Sequence, residues 1–323
     1  MNEFELIRLL TRALPVNDSV VVGPGDDCAV LDLGAGDRQL LFKTDAVVEG
    51  VHFTAETPPE KIGRKALARC LSDVAAMAGT PSAALVTLGL PRAFKPEFVE
   101  QVYAGMNALA HQHGVAIVGG ETTLNPERVL ISVALVGSVA KGKAVLRSGA
   151  KVGDAIFVTG ELGGSLAGKH LDFEPRLVEA RWLAERFEVH AMIDLSDGLA
   201  GDLRHVLKAS GVGAELLKSA IPISRAAKER SRARESAEPH AHTPTHVGDC
   251  KPALLAALTD GEDFELLFAV ASKSAVPLLD AWKERFPKLR LSCIGKITAG
   301  DTVTLRDKTG LHPMPTRGYV HFA

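Results

Sequence analysis

Several absences narrow what this chain can be. Its charges nearly cancel, with a net of about −2 over 323 residues, so no general attraction to nucleic acid or anionic lipid is built in. No run approaches the ~18 apolar residues of a membrane span. The N-terminal MNEFELIRLL carries acids and lacks the basic start, long apolar stretch and cleavage site of a targeting leader. These absences predict a cytoplasmic protein. The four cysteines, Cys28, Cys70, Cys250 and Cys293, share no CxxC spacing and read as small buried or surface residues. No convincing Ser-His-Asp or Cys-His set is visible, and no internal repeat. His111 and His113 at a helix end, and His240, His242 and His246 in a polar stretch, are better explained as solvated side chains than as zinc ligands.

What is present is an apolar content of 46% with 24% charged residues, the balance of a folded globular protein. A length of 323 residues exceeds one ordinary core and predicts two domains. Against that background stands a series of acidic motifs, each set beside glycine or an apolar strand. They are Gly25–Asp26–Asp27, Thr44–Asp45, Ser72–Asp73, Gly119–Gly120–Glu121 and Asp194–Leu195–Ser196–Asp197–Gly198. Carboxylates at the ends of buried elements need a positive partner. No equally dense set of Lys and Arg flanks them in the sequence, so the expected counter-charge is bound metal. Hard oxygen donors point to magnesium, and magnesium points to phosphates.

Periodicity predicts an amphipathic helix over residues 1–12, strands at 29–33 and 39–44, a helix at about 60–78, and a strand at 83–90. A helix at about 96–113 and strands at 115–118 and 129–137 follow. Asp73 then falls near the C-terminal end of its helix, where the helix dipole disfavours a carboxylate. A glycine-bearing polar hinge over 140–154 separates an N-terminal domain, 1–140, from a C-terminal domain, 141–323. The second half is expected to hold a strand at 155–159, helices near 165–171, 175–187 and 199–210, and a strand at 264–270. The segment 224–245, rich in Arg, Ser, Glu, His and Pro, is the poorest candidate for order.

Each motif also has a plainer reading. A turn accounts for one Asp after Gly25, though not for two adjacent carboxylates entering a strand. An N-cap accounts for one carboxylate in Asp194–Gly198 and leaves the second surplus. His52 alone would read as a satisfied loop histidine; its neighbourhood makes it a candidate substrate contact. The turn at 159–165 can present backbone donors to phosphate, but generic strand-to-helix turns look the same. Residues 137–144 nearly match a P-loop, yet Ala144 replaces the magnesium-binding hydroxyl and no helix pattern follows. Arg147 just beyond remains a candidate for gripping a nucleotide phosphate.

Nine motifs in one order, GPGDDCAVL, KTDAVVEGVHF, KALARCLSDVAAMAG, VGGETT, LRSGAKVGD, VTGELGGSLAG, MIDLSDGLAGDL, DGEDFELLF and GYVHF, closely resemble those of the thiamine-monophosphate kinase family. That family sits in the aminoimidazole ribonucleotide synthetase-like superfamily. The resemblance runs from about residue 20 to the C-terminus. It implies an α/β (α+β) fold of two domains. The N-terminal mixed sheet with helices would bind ATP and metal and form a homodimer, beside a C-terminal α/β domain. It implies ATP-dependent phosphorylation of thiamine monophosphate, assisted by several magnesium ions. By motif match, Asp27, Thr44, Asp45, Asp73, Glu121, Asp194 and Asp197 would hold metal, with Asp45 and Asp197 weightiest for catalysis. Gly120, Glu121, Arg147 and Ser196 would contact ATP; His52, Glu262 and Tyr319 would contact the thiamine phosphate. Two departures stand out: Glu121 where the family pattern has Asp, and Lys43 where a small hydroxyl residue is expected. Other ATP-dependent members of the superfamily, and a nucleotide-binding regulator, are the competing readings. Residues 1–20 hold no reactive cysteine of the kind the selenophosphate branch would need.

Overall fold

The computed structural model describes residues 3–34, 36–236 and 251–315. In chain order the first half holds α1 (Glu3–Thr11), β1 (Val20–Val22), β2 (Ala29–Leu31), β3 (Arg38–Val48), α2 (Pro59–Ala76), β4 (Thr80–Leu90), α3 (Pro96–His113), β5 (Ala116–Leu124) and β6 (Leu130–Ala140). The second half holds β7 (Ala155–Thr159), α4 (Lys169–Asp172), α5 (Leu177–Arg186), β8 (Val189–Asp194), α6 (Leu199–Ser210), β9 (Gly213–Leu217), α7 (Arg225–Ser236), α8 (Ala253–Thr259), β10 (Leu266–Val270), α9 (Ala275–Arg285), β11 (Leu291–Thr298), β12 (Val303–Asp307) and β13 (Gly310–Pro313). The result is a mixed α/β fold with two sheets. None of the described helices is long and apolar enough to cross a membrane.

The chain divides into two compact units. The first comprises Thr11–Leu146 and Leu171–Arg186; the second comprises Met1–Leu10, Arg147–His170 and Phe187–Ala323. The helix α5 therefore packs with the first half of the chain although it is encoded in the second. Arg64 of α2 donates to the Phe173 carbonyl at 2.6 Å and to Glu174 at 3.1 Å, Gln112 donates to Glu174, and Arg181 donates to Thr80.

In the first unit six strands run in the order β1-β2-β3-β6-β4-β5, antiparallel except for the parallel β4–β5 pair. A parallel neighbour needs a crossover, and α3 supplies it. One sheet face carries Leu41, Val47, Val86, Leu88, Ile131, Val133 and Leu135, all buried. The helix α2 lies on this face and α3 crosses α2. Their backbones touch through glycine: a Cβ on Gly63 would stand 1.8 Å from the Val102 carbonyl oxygen, and one on Gly105 the same distance from that of Glu60. The other face leaves Phe42, Leu85 and Val118 about half exposed or more.

In the second unit seven strands run in the order β13-β12-β9-β11-β7-β10-β8. The central strands β7 (AIFVT) and β10 (LLFAV) are buried at every position, which is why they read as unbroken apolar runs rather than alternating ones. Phe157 and Phe268 stack across them at 5.5 Å.

One expectation changes. Residues 225–236, expected to be poorly ordered, form α7. Ser224 Oγ accepts the Ala227 N–H at 3.0 Å as an N-cap, Ala227 is buried, and Arg225 pairs with Glu229 one turn on. The remainder of that segment, 237–245, lies outside the described residues, as do Cys250, Tyr319 and the three histidines of the polar stretch. The near-P-loop at 137–144 is, in keeping with its rejection from the sequence, the end of β6 followed by a turn, and no helix lies between β6 and β7.

Candidate functional site

The pleat of β3 decides what its residues can reach. Successive strand side chains point to opposite faces, so Leu41, Lys43, Asp45 and Val47 share the helix-covered face, while Phe42, Thr44 and Ala46 look the other way. On the covered face Lys43 Nζ stands 3.1 Å from Asp73 Oδ1 on the last turn of α2, and Arg69 Nε stands 3.4 Å from Asp45 Oδ2. Asp73 is 6% exposed and Asp27 is 1% exposed. Burial opposes the charge on Lys43, but Asp73, then Asp45 and Asp27, outweigh it and hold the ammonium firmly protonated. Part of the counter-charge expected from metal is therefore already in the chain: Lys43 and Arg69 are basic partners that sequence spacing does not reveal. The same ammonium offsets the helix-end position of Asp73. Burial, then the charge of Asp73, pushes the Cys28 thiol up, and burial with Asp45 does so for Cys70.

Thr44 and Glu121 are not gathered with these groups. The Thr44 hydroxyl lies 3.4 Å from Ser132 Oγ on the opposite face. Glu121 sits in the cross-strand row Ala46–Ser132–Thr87–Glu121 of that face, exposed, accepting the Thr122 N–H. Gly120 belongs to the row of Asp45. At φ +154° its missing side chain is required, because a Cβ would lie 1.8 Å from the Val86 carbonyl oxygen. His52 closes the loop after β3. Its Nδ1 accepts the Val48 N–H at 3.1 Å, and its carbonyl accepts from the fully buried Lys65 at 2.7 Å.

In the second unit the chemistry-bearing residues collect at one end of the sheet, where β7 and β8 finish and β10 begins. The loop after β8 is laced to the segment before β10. The Leu195 N–H donates to the Glu265 carbonyl, and the Glu262 and Phe264 N–H groups donate to the Ser196 and Leu195 carbonyls at 2.7 and 2.8 Å. This lacing holds Glu262 and Phe264 at φ +54° and +49°, a left-handed conformation that non-glycine residues adopt only under constraint. Glu262 Oε2 lies 3.0 Å from His170 Nδ1. Asp263 and Asp260 accept the Gly163 and Gly164 N–H groups, so these donors of the glycine turn serve carboxylates of the chain rather than an open anion cradle. Glu265, buried, accepts from Thr159 and pairs with Lys169, both at 2.8 Å.

Beside this lacing stands an acidic group only partly legible from residue order. Asp197, Asp202 and His205 can each bring a ligand atom within 4.8 Å of the others. Asp202, in the first turn of α6, accepts the Asp197 N–H at 3.0 Å. Burial, then the charges of Asp197 and Asp194, drives its carboxyl well above the usual range, while Arg147 works the other way. His205 is pushed down to about 4 by burial and by Arg147 and Lys208, leaving a neutral imidazole. Crowded carboxylates that raise one another call for a cation, and oxygen donors with no thiolate suit a hard one. The residues present thus fit magnesium. The missed member, Asp202, had one legible signal: an acid in the first turn of a predicted helix, five residues after Asp197.

The comparisons with known proteins agree with this architecture. The AIR synthase related protein N-terminal domain matches residues 25–139, and the C-terminal domain of the same family matches 151–308. A thiamine-monophosphate kinase of Rhodopirellula baltica is 43% identical over 83% of this chain and 81% of its own length. That of Bacillus subtilis is 32% identical over the whole of both chains. A solved structure of AaThiL complexed with AMPPCP and TMP superposes with a TM-score of 0.79 at 30% identity, covering 99% of this chain and 97% of that one. With both domains matched in order and full-length relatives of one activity, the chain belongs to the thiamine-monophosphate kinase family.

Proposed function

We propose that the chain transfers the γ-phosphoryl group of ATP to the phosphate of thiamine monophosphate, giving thiamine diphosphate and ADP. The observation that carries this reading is the crowded group of Asp197, Asp202 and His205, in which Asp202 accepts the Asp197 N–H at 3.0 Å and feels the opposing charge of Arg147. Family membership, and a similar protein solved with AMPPCP and TMP, select the reaction from among those such a site could perform.

A phosphate monoester oxygen is largely anionic at pH 7, since its second pKa is about 6. It needs no strong general base, consistent with a site built from carboxylates and not from a nucleophile–histidine pair. One acceptor oxygen forms a bond to the γ-phosphorus as the bond to the β,γ-bridging oxygen breaks, and ADP leaves with that electron pair. Transfer is direct and in line, with no phosphoenzyme. Asp194 and Asp197, with Asp27, Asp45 and Asp73, would hold magnesium; Thr44 can contribute only through its backbone carbonyl, its hydroxyl being on the other face. Magnesium bound there would screen the two polyanions and stabilise the leaving oxygen. Arg147, Ser196, Gly120 and Glu121 would position ATP; His52, Glu262 and Tyr319 would position thiamine monophosphate. The chain is proposed to work as a homodimer, supported by the half-exposed apolar face of the first sheet, where Phe42, Leu85 and Val118 are 47%, 48% and 62% exposed.

Purified protein incubated with MgATP and thiamine monophosphate, with products separated by chromatography, tests the reading. Thiamine diphosphate formed by the parent and lost in Asp197→Asn supports it. ATP consumed with no thiamine diphosphate formed would turn the assignment to another acceptor.

A further inference from the structure

Among the acidic residues of the first unit a lysine of the chain stands in direct ion-pair contact with a buried aspartate. Lys43 is delivered by the pleat of β3 to the face shared by Asp45, and its strand is fixed in register by an unbroken ladder with β6 from Arg38 to Val48. Its ammonium lies 3.1 Å from Asp73 Oδ1, with the lysine side chain 23% and the aspartate side chain 9% exposed. Arg69 is turned to Asp45 instead. A divalent ion ligated by Asp73 would meet this fixed positive charge at ion-pair distance, in a place where little water screens it.

We infer that the Lys43 ammonium is the resident cation at Asp73, taking the place of a divalent ion, so that Asp73 is not a metal ligand in this chain. The inference rests on the magnesium reading above and departs from it at one residue: Asp73, which the motif match counts among the ligands, is taken up by Lys43, and the chain loads one ion fewer than its carboxylates would otherwise hold. Lys43 then acts as a positioning residue, fixing Asp73 and the end of α2 whether or not metal is present.

The test counts Mn²⁺, as a probe for Mg²⁺, bound per chain at neutral pH by electron paramagnetic resonance of the free ion. It uses the full chain as parent, Lys43→Ser, Asp73→Asn and the double variant, with folding checked by thermal melting. The expected pattern is a gain of one ion in Lys43→Ser, an unchanged count in Asp73→Asn, and loss of the gained ion in the double variant. Equal counts in the parent and Lys43→Ser overturn the inference and leave the metal reading standing. So does the loss of one ion in Asp73→Asn on the parent background, an arm that remains decisive if Lys43→Ser does not fold. Absence of bound Mn²⁺ from the parent and every variant defeats the metal reading itself, and this inference with it.

Discussion

Both carboxylate oxygens of Asp263 accept the backbone N–H of Gly163, each at 3.0 Å. This contact fixes the glycine turn against the segment that carries Glu262, and it is deeply buried. Burial lifts the Asp263 carboxyl from 3.8 to about 7, opposed by Lys169 and by the Gly163 N–H. Between those values the folded chain keeps a proton that the unfolded chain has lost, so stability falls as pH climbs through that window and levels off above it. Melting temperatures of the parent should therefore decline from pH 5 to pH 7, and Asp263→Asn should flatten the decline. Parallel slopes in the two proteins would contradict the assignment. Asp263→Ala should cost about 1–3 kcal/mol by leaving a buried N–H without its acceptor.

Asp197→Asn should lower turnover on the order of 10²–10³-fold, the usual loss when a transition-state electrostatic group is removed. His52→Ala should lower it far less, because the ring is engaged with the Val48 backbone and its proposed role is positioning. Steady-state rates at saturating MgATP compare the two; a His52 variant as poor as the Asp197 variant would reverse these roles.

Gly63→Ala should be severely destabilising although alanine is the better helix former. The added methyl would sit 1.8 Å from a carbonyl oxygen of α3, so two helix backbones must separate. Overpacking alone costs about 1–3 kcal/mol, and here backbone has to move. Urea unfolding of this variant should show at least that loss, and a melt unchanged from the parent would mean that the crossing is looser than drawn.

Ser224→Ala should cost about 1 kcal/mol, the typical value of an N-cap. Helix α7 should fray at its start, visible as faster amide exchange at Ala227, whose N–H bonds to Ser224 Oγ.

Much of the fold could be read from residue order because local signals agreed with one another. The helix at 96–113 and that at 199–210 end at Gly114 and Gly211, both left-handed at φ +67°, so periodicity and stop signal coincide. The short strand β1 was invisible because three valines beside a loop carry no alternation long enough to count. The placement of α5 was not legible at all, since Arg64 and Arg181 find their partners about a hundred residues away. For the site, motif order located the carboxylates but not their surroundings. Thr44 and Asp45 are neighbours on a strand and must diverge, a constraint that motif matching passes over. Lys43 pairing with Asp73 needed the helix laid across the strand before the two could be seen to meet.

The allegiance of α5 has a consequence for how the chain can be taken apart. Its sequence leaves the first unit at Leu146, returns at Leu171 and departs again at Arg186. A fragment ending near residue 146 would lack the segment 171–186 whose Phe173, Glu174 and Arg181 engage Arg64, Gln112 and Thr80. The complementary fragment would carry that helix with its buried Leu177, Ala180 and Leu183 stripped of cover. Neither half is a free-standing piece, so limited proteolysis within residues 147–170 should trigger loss of the whole structure rather than release of two stable domains.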